Sequence, residues 1–189
     1  LFFGRLDYQD LRQRLETRAA EWVWRASATL GPDAQVFSGL TGSYGGNYGP
    51  PAGFCWDVKC TDEPMQDDPS LETYNIESRV ADFVERARWQ ANVTRGAHLL
   101  FTMGSDYQYE AAEEWFVNLD KLVKYVNAAS ATTGVRAQYS SMDTYVAAKR
   151  AEPKTITWPL KTDDMFPYAD GPHMFWSGFF TSRPALKRY

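Results

Sequence analysis

LLFTMGSDYQY, residues 99–109, runs from a short apolar segment through Gly104-Ser105 to Asp106, an acid set between a small residue and two tyrosines. A carboxylate just past the end of a buried strand is where α/β barrels place chemistry. The strand fixes the backbone there, and the loop that follows leaves the side chain facing the mouth. Leu99–Met103 is therefore predicted as a strand and Asp106 as the first catalytic candidate. The competing reading makes Asp106 only the N-cap of the next helix, since Asp is a favoured cap residue.

Outward from this stretch, helical periodicity dominates. Trp115, Leu119, Leu122 and Val126 fall in register on a helix from Glu110 to about Ala129, with acids in its first turns where the dipole favours them. On the other side, Ile76, Val80, Phe83, Val84 and Ala87 share one face of a helix opened by Asn75 and running to about Ala91. Nearer the start, Leu11, Leu15, Ala19, Trp22 and Val23 predict an amphipathic helix from Asp10 to about Ala28, preceded by a strand end at Leu1–Phe3. Past Gly134, Val135–Ser140 reads as a strand, Met142–Arg150 as a helix, and Thr155–Leu160 as an irregular edge strand because it contains Pro159. Strands alternating with helices of crossover length predict an α/β fold with parallel strands.

Between Gly31 and Pro69 the pattern dissolves into turn-formers, including SGLTGSYGGNYGPPAG, and a long loop is predicted. Loops of that length in compact domains are commonly functional, so Tyr44 or Tyr48 is a candidate to line a pocket. Cys55 and Cys60, the only two cysteines, are too far apart for a C-x-x-C knuckle and have only His98 and His173 to complete a metal set. A small disulfide loop fits them better and would remove about 2 kcal/mol of unfolded-state entropy. With the sequon Asn92-Val93-Thr94, it favours a secretory, vacuolar or lysosomal compartment.

Composition narrows the function classes. A net charge of −4 over 189 residues argues against nucleic acid, and no window approaches the roughly 20 apolar residues a membrane helix needs. Many of the 7 Trp, 11 Tyr and 11 Phe lie in polar or turn-rich surroundings, which suits sugar recognition as well as a core. Arg5, after the first strand, either clamps a carboxylate or hydroxyl of a ligand or forms a structural salt bridge. Asp163, Asp164 and Asp170, among the aromatics of 161–189, form either a second site wall or a solvated loop. The chain begins at Leu1, without Met and inside a strand-like LFF, and is expected to be an excerpt of a longer polypeptide.

FFGRLDYQD, NYGPP with CWDVKC, FTMGSDYQYE and FPYADGPHMFWSGFFTSRPALKRY, in this order, closely resemble the catalytic region of lysosomal-type α-mannosidases, the zinc-dependent retaining enzymes of glycoside hydrolase family 38. The resemblance covers essentially the whole chain. It implies that residues 1–189 form one piece of an α/β, barrel-like catalytic domain, in its C-terminal part, with a long Gly-rich disulfide loop. It further implies that Asp106 is the general acid/base, that Arg5, Tyr48 and Trp176 bind substrate, that Cys55 and Cys60 form a short disulfide, and that Asn92 lies near a glycosylation position. Ser105 stands where Golgi-type relatives carry a second acid, which favours the lysosomal type.

The activity implied is removal of terminal α-D-mannose from N-linked oligosaccharides, in a lysosome or vacuole or outside the cell. The implied partners are a mannose-containing oligosaccharide and the remainder of the same chain, and a homo-oligomer is compatible with the resemblance. The family's zinc motifs, an early His-x-Asp pair, an Asp-Pro-Phe-Gly nucleophile and a later His-His-Asp, do not occur here. Zinc ligands and nucleophile are therefore expected from outside this chain, and the isolated chain is expected to be inactive. A sugar-binding, lectin-like module is the rival reading.

Overall fold

The computed structural model describes residues 1–41, 48–60 and 62–189. Strand β1 (Phe2–Phe3) leads to helix α1 (Tyr8–Glu16), where the Asp7 carboxylate caps the first turn by accepting the N–H of Gln9 at 2.9 Å. The helix predicted to run from Asp10 to about Ala28 is cut in two. Helix α1 stops at Glu16, Arg18 turns the chain with φ 55°, and strand β2 (Glu21–Trp24) follows. Arg18 is held in this left-handed conformation because its guanidinium donates to the carbonyls of Ala91 (3.0 Å) and Thr94 (3.1 Å) at the end of helix α2 (Ile76–Val93). The sequence of β2 lacks the alternation of a half-buried strand because both of its faces are covered. Trp22 packs with Leu6, Ala20, Leu40 and Val93, while Glu21 is buried against helix α5 (Met142–Ala151).

Strand β3 (Val36–Leu40) lies within the predicted loop. Its Ser38 and Gly39 read as turn residues, yet Gly39 is needed where Phe2 crosses it, since a Cβ there would stand 2.8 Å from the ring. Strand β4 (Leu160–Lys161) completes a four-stranded sheet of order β1-β3-β2-β4. The β1–β3 and β2–β4 pairs are parallel. The β2–β3 pair is antiparallel, with Trp22 opposite Ser38, because the connection 25–35 holds only a 3-10 turn (Gly31–Ala34) and no crossover helix. The architecture is thus mixed α/β with a mostly parallel sheet, where wholly parallel strands were expected.

Among the described residues, the predicted strands Leu99–Met103 and Val135–Ser140 join no ladder. Their apolar side chains serve a core instead. Phe101, Met103, Val135 and Ala137 pack on a cluster formed by Phe54, Trp56 and Met65 of the loop, the inner face of α2, and Trp115, Leu119, Leu122 and Val126 of helix α3 (Ala112–Ala128). In place of a neighbouring strand, the Asn127 side-chain amide pairs with the Ala137 backbone, donating to its carbonyl and accepting from its N–H, each at 2.9 Å. Helix α4 (Ser130–Thr133) ends at Gly134, and the short helices α6 (Gly178–Thr181) and α7 (Pro184–Arg188) follow the sheet. No helix of the described residues is long and apolar enough to cross a membrane.

A buried polar cluster joins β2 to α5. The Lys149 ammonium lies 2.8 Å from Glu21 Oε2 and donates to the carbonyls of Arg95 (2.6 Å) and His98 (2.7 Å), while the Tyr145 hydroxyl donates to Glu21 Oε1. Glu152, just past α5, accepts the N–H groups of Ala97 (2.6 Å) and His98 (3.1 Å). Residues 95–98 are therefore tied from two sides immediately before the stretch that carries Asp106.

Candidate active site

Asp106 stands exposed at the tip of a tight turn. Gly104 has φ 150°, and Tyr107 and Tyr109 are left-handed at φ 58° and 69°. The Tyr109 hydroxyl closes the turn by donating to the Met103 carbonyl at 2.6 Å, and only a glycine fits beside its ring at position 104, where a Cβ would lie 2.9 Å from Tyr109 Cε2. Helix α3 begins with Ala111 as its N-cap, so the carboxylate of Asp106 is not a helix cap. Nor do the described residues enclose it in apolar surroundings: the neighbouring Tyr107 is 76% exposed.

The carboxylate is instead met by Tyr48, whose hydroxyl donates to Asp106 Oδ1 at 2.9 Å. That hydrogen bond raises the phenol above its ordinary pKa and keeps it a donor. Two features place Tyr48. Thr102, four residues before the acid, donates to the Tyr48 carbonyl at 2.8 Å. Gly4 lets the ring approach the backbone, since a Cβ there would stand 2.6 Å from Tyr48 Cδ1. The glycine is followed by Arg5, whose guanidinium carbon lies 5.6 Å from the Tyr48 ring centroid and 5.4 Å from that of Trp176.

Trp176 is 38% exposed and sits on a hairpin-like return in which its N–H donates to the Tyr168 carbonyl at 2.9 Å. Tyr168 flanks its ring at 5.7 Å and Phe179 stacks on it at 5.8 Å between centroids. Tyr8, which opens α1, donates its N–H to the Ala169 carbonyl at 2.9 Å and so fastens this return beside Arg5.

Four residues singled out in the sequence, Asp106, Tyr48, Arg5 and Trp176, are thus joined in one chain of contacts. The others fall elsewhere. Cys55 and Cys60 form the expected disulfide, with Cα atoms 5.7 Å apart. Asn92 is exposed on the last turn of α2. Asp163 is drawn away into an ion pair with Lys161 at 2.9 Å, and Asp164 accepts the Phe166 N–H at 3.1 Å. Tyr44 lies outside the described residues. Among the described residues no group of three or more His, Cys, Asp or Glu side chains gathers to hold a metal. Sequence reasoning missed Gly4, whose role depends on a contact with a residue 44 positions later, and Asp57 of the disulfide loop, which only its burial reveals.

A carboxylate, a phenol, a cation and an indole are thus gathered on an α/β framework. Over residues 1–171 the chain matches the glycosyl hydrolases family 38 N-terminal domain, and it belongs to that family of glycoside hydrolases. It is 50% identical over 191 residues to lysosomal alpha-mannosidase of Cavia porcellus and 47% identical over 190 residues to that of Homo sapiens. It is also 45% identical over 189 residues to an alpha-mannosidase of Arabidopsis thaliana. Each alignment covers 100% of this chain and 18% of the relative, so the chain spans less than a fifth of the length of the curated relatives it matches.

Proposed function

We propose that residues 1–189 form a single part of the barrel-like catalytic domain of a retaining exo-α-mannosidase that removes terminal α-D-mannose from N-linked oligosaccharides. The observation that carries this reading is the hydrogen bond from Tyr48 to Asp106 beside Arg5 and Trp176, in a chain whose relatives are named alpha-mannosidases. A retaining glycosidase works with two carboxyl groups about 5–5.5 Å apart, one attacking the anomeric carbon and one protonating the leaving oxygen. Asp106 is the second. Tyr48 fixes Oδ1, which leaves Oδ2 to carry the proton to the glycosidic oxygen and, in the second half-reaction, to take one from water.

Trp176, 38% exposed, contributes its indole to the sugar pocket, and Arg5 lies against both the indole and the phenol. The nucleophile comes from outside this chain. Zinc, which the resemblance implies, would be held by motifs elsewhere in the polypeptide, where it would stabilise charge on the sugar; among the described residues no three His, Cys, Asp or Glu side chains gather. The lysosomal relatives, the disulfide and the exposed Asn92 sequon support a lysosomal, vacuolar or secreted enzyme that is glycosylated at Asn92.

The test uses the full-length polypeptide that carries this chain. It should hydrolyse an aryl α-mannoside at acid pH with retention of configuration, and metal chelation should abolish the activity. Inversion of configuration or absence of hydrolysis would overturn the reading, and mannose binding without turnover would favour the lectin-like alternative. Within that enzyme, Trp176→Ala should raise KM about 3- to 10-fold, the scale of one aromatic stacking contact, with the thermal midpoint little changed. A change in stability alone would remove Trp176 from the pocket.

A further inference from the structure

The residues after Asp106 are fastened to the disulfide loop one by one. The Lys59 ammonium lies 4.7 Å from the Tyr107 ring centroid, and Gln108 Nε2 lies 3.1 Å from Cys55 Sγ and 3.5 Å from Cys60 Sγ. The Tyr109 N–H donates to Asp57 Oδ2 at 2.7 Å. That same oxygen accepts the indole N–H of Trp115 at 2.8 Å, and Trp115 is wholly buried in the larger core. Asp57, itself only 4% exposed, is therefore the link through which a rigid core reaches the acid-bearing turn. Burial alone would raise its carboxyl, but the N–H groups of Tyr109, Trp115 and Val58 and the nearby Lys59 hold it below the ordinary carboxylate range, so it meets its donors as an anion.

The turn needs such a link. Left-handed backbone at two tyrosines persists only where the surroundings over-determine it. Tyr109 is fixed three times: by its N–H to Asp57, by its hydroxyl to Met103, and by its ring, stacked on Trp115 at 5.0 Å.

We infer that Asp57 and Tyr109 are positioning residues for the glycosidase reaction: the disulfide loop is the mount that holds the acid-bearing turn, and Asp57 fastens the turn to the core through Tyr109. This rests on the reading of Asp106 as the general acid. A carboxyl displaced by an ångström transfers its proton poorly, and displacements of that size cost on the order of 100-fold. The loss falls on substrates whose leaving group needs the proton, whereas an effect on folding or on the sugar subsite falls on all substrates alike.

The experiment compares Asp57→Asn and Tyr109→Phe in the full-length enzyme, using kcat/KM for 2,4-dinitrophenyl α-mannoside, whose aglycone departs unprotonated, and for an α-mannosyl disaccharide. Both variants should lose about 10- to 100-fold on the disaccharide and less than about 3-fold on the dinitrophenyl substrate. Parallel losses on both substrates, or no loss on either, would overturn the inference. Tyr109→Phe removes one oxygen and decides the matter if Asp57→Asn does not fold. Asp106→Asn runs alongside. If it remains leaving-group selective while the two variants do not, only the mount fails. If it is not selective, the assignment of the acid falls, and the inference with it.

Discussion

Asp106→Asn in the full-length enzyme is expected to lower kcat/KM on a natural mannosyl oligosaccharide by about 10²- to 10⁴-fold, the usual contribution of a positioned general acid. Asn has the shape of Asp and keeps an oxygen for the Tyr48 hydroxyl, which now donates to Asp106 Oδ1 at 2.9 Å, so the site should remain assembled. What disappears is the proton. Hydrolysis of a dinitrophenyl α-mannoside, which needs no protonation of the leaving group, should therefore keep kcat/KM near the parent value. Its kcat should fall, because Asp106 also serves as base when water releases the sugar from the enzyme. Turnover of the oligosaccharide within a few-fold of the parent would exclude Asp106 from the role, whatever its contacts.

How far the sequence foretold this site depends on the range of each contact. The helices α2, α3 and α5 were readable because their apolar residues repeat every three or four positions over 10 to 18 residues, and that pattern is local. The sheet was readable only at its edges, where the strand end at Leu1–Phe3 anticipated β1 and Thr155–Leu160 reached the start of β4, and its two central strands were not. Strand β2 is covered on both faces and continues the spacing of α1, and β3 hides Ser38 and Gly39 in what reads as a loop; pairing between strands, which identifies both, is invisible in either segment alone. The run Leu99–Met103 errs in the opposite direction, with strand-like composition satisfied by packing on the core. Asp106 was singled out as the acid just past a predicted strand end, and it does stand exposed on a turn although Leu99–Met103 joins no ladder, whereas Arg5, Tyr48 and Trp176 stood out as binding residues chiefly through the resemblance of their surrounding motifs. That Tyr48 reaches an acid 58 residues away, or that Asp57 anchors Tyr109 52 residues on, follows only from the packed chain.

Lys149→Met is expected to be the most destabilising of the changes considered, costing about 3–5 kcal/mol at neutral pH, because it leaves the Glu21 carboxylate buried without its partner. Both side chains are nearly inaccessible, 1% exposed for Lys149 and 3% for Glu21, and lie 2.8 Å apart. Burial raises the Glu21 pKa, with Lys149 and Tyr145 opposing that rise. A carboxyl whose pKa is higher folded than unfolded contributes its stability below the unfolded value, about 4.3, and loses it as pH rises through the folded value. Removing the ammonium raises the folded pKa further, so the penalty should be greatest at pH 7 and shrink as acid protonates Glu21. Urea denaturation of the full-length enzyme at pH 7 and pH 5 measures this directly. A penalty that is the same at both pH values, or larger at pH 5, would show that lost packing and not the orphaned charge sets the cost.

The double variant Lys149→Met with Glu21→Leu removes the charge imbalance and should recover most of the loss. It should not recover all of it, because Lys149 also satisfies the carbonyls of Arg95 and His98, and those remain without their donor. These carbonyls lie just before Leu99, so the residual defect should be a looser approach to the Asp106 turn, seen as faster amide hydrogen exchange over residues 99–103 in the double variant than in the parent.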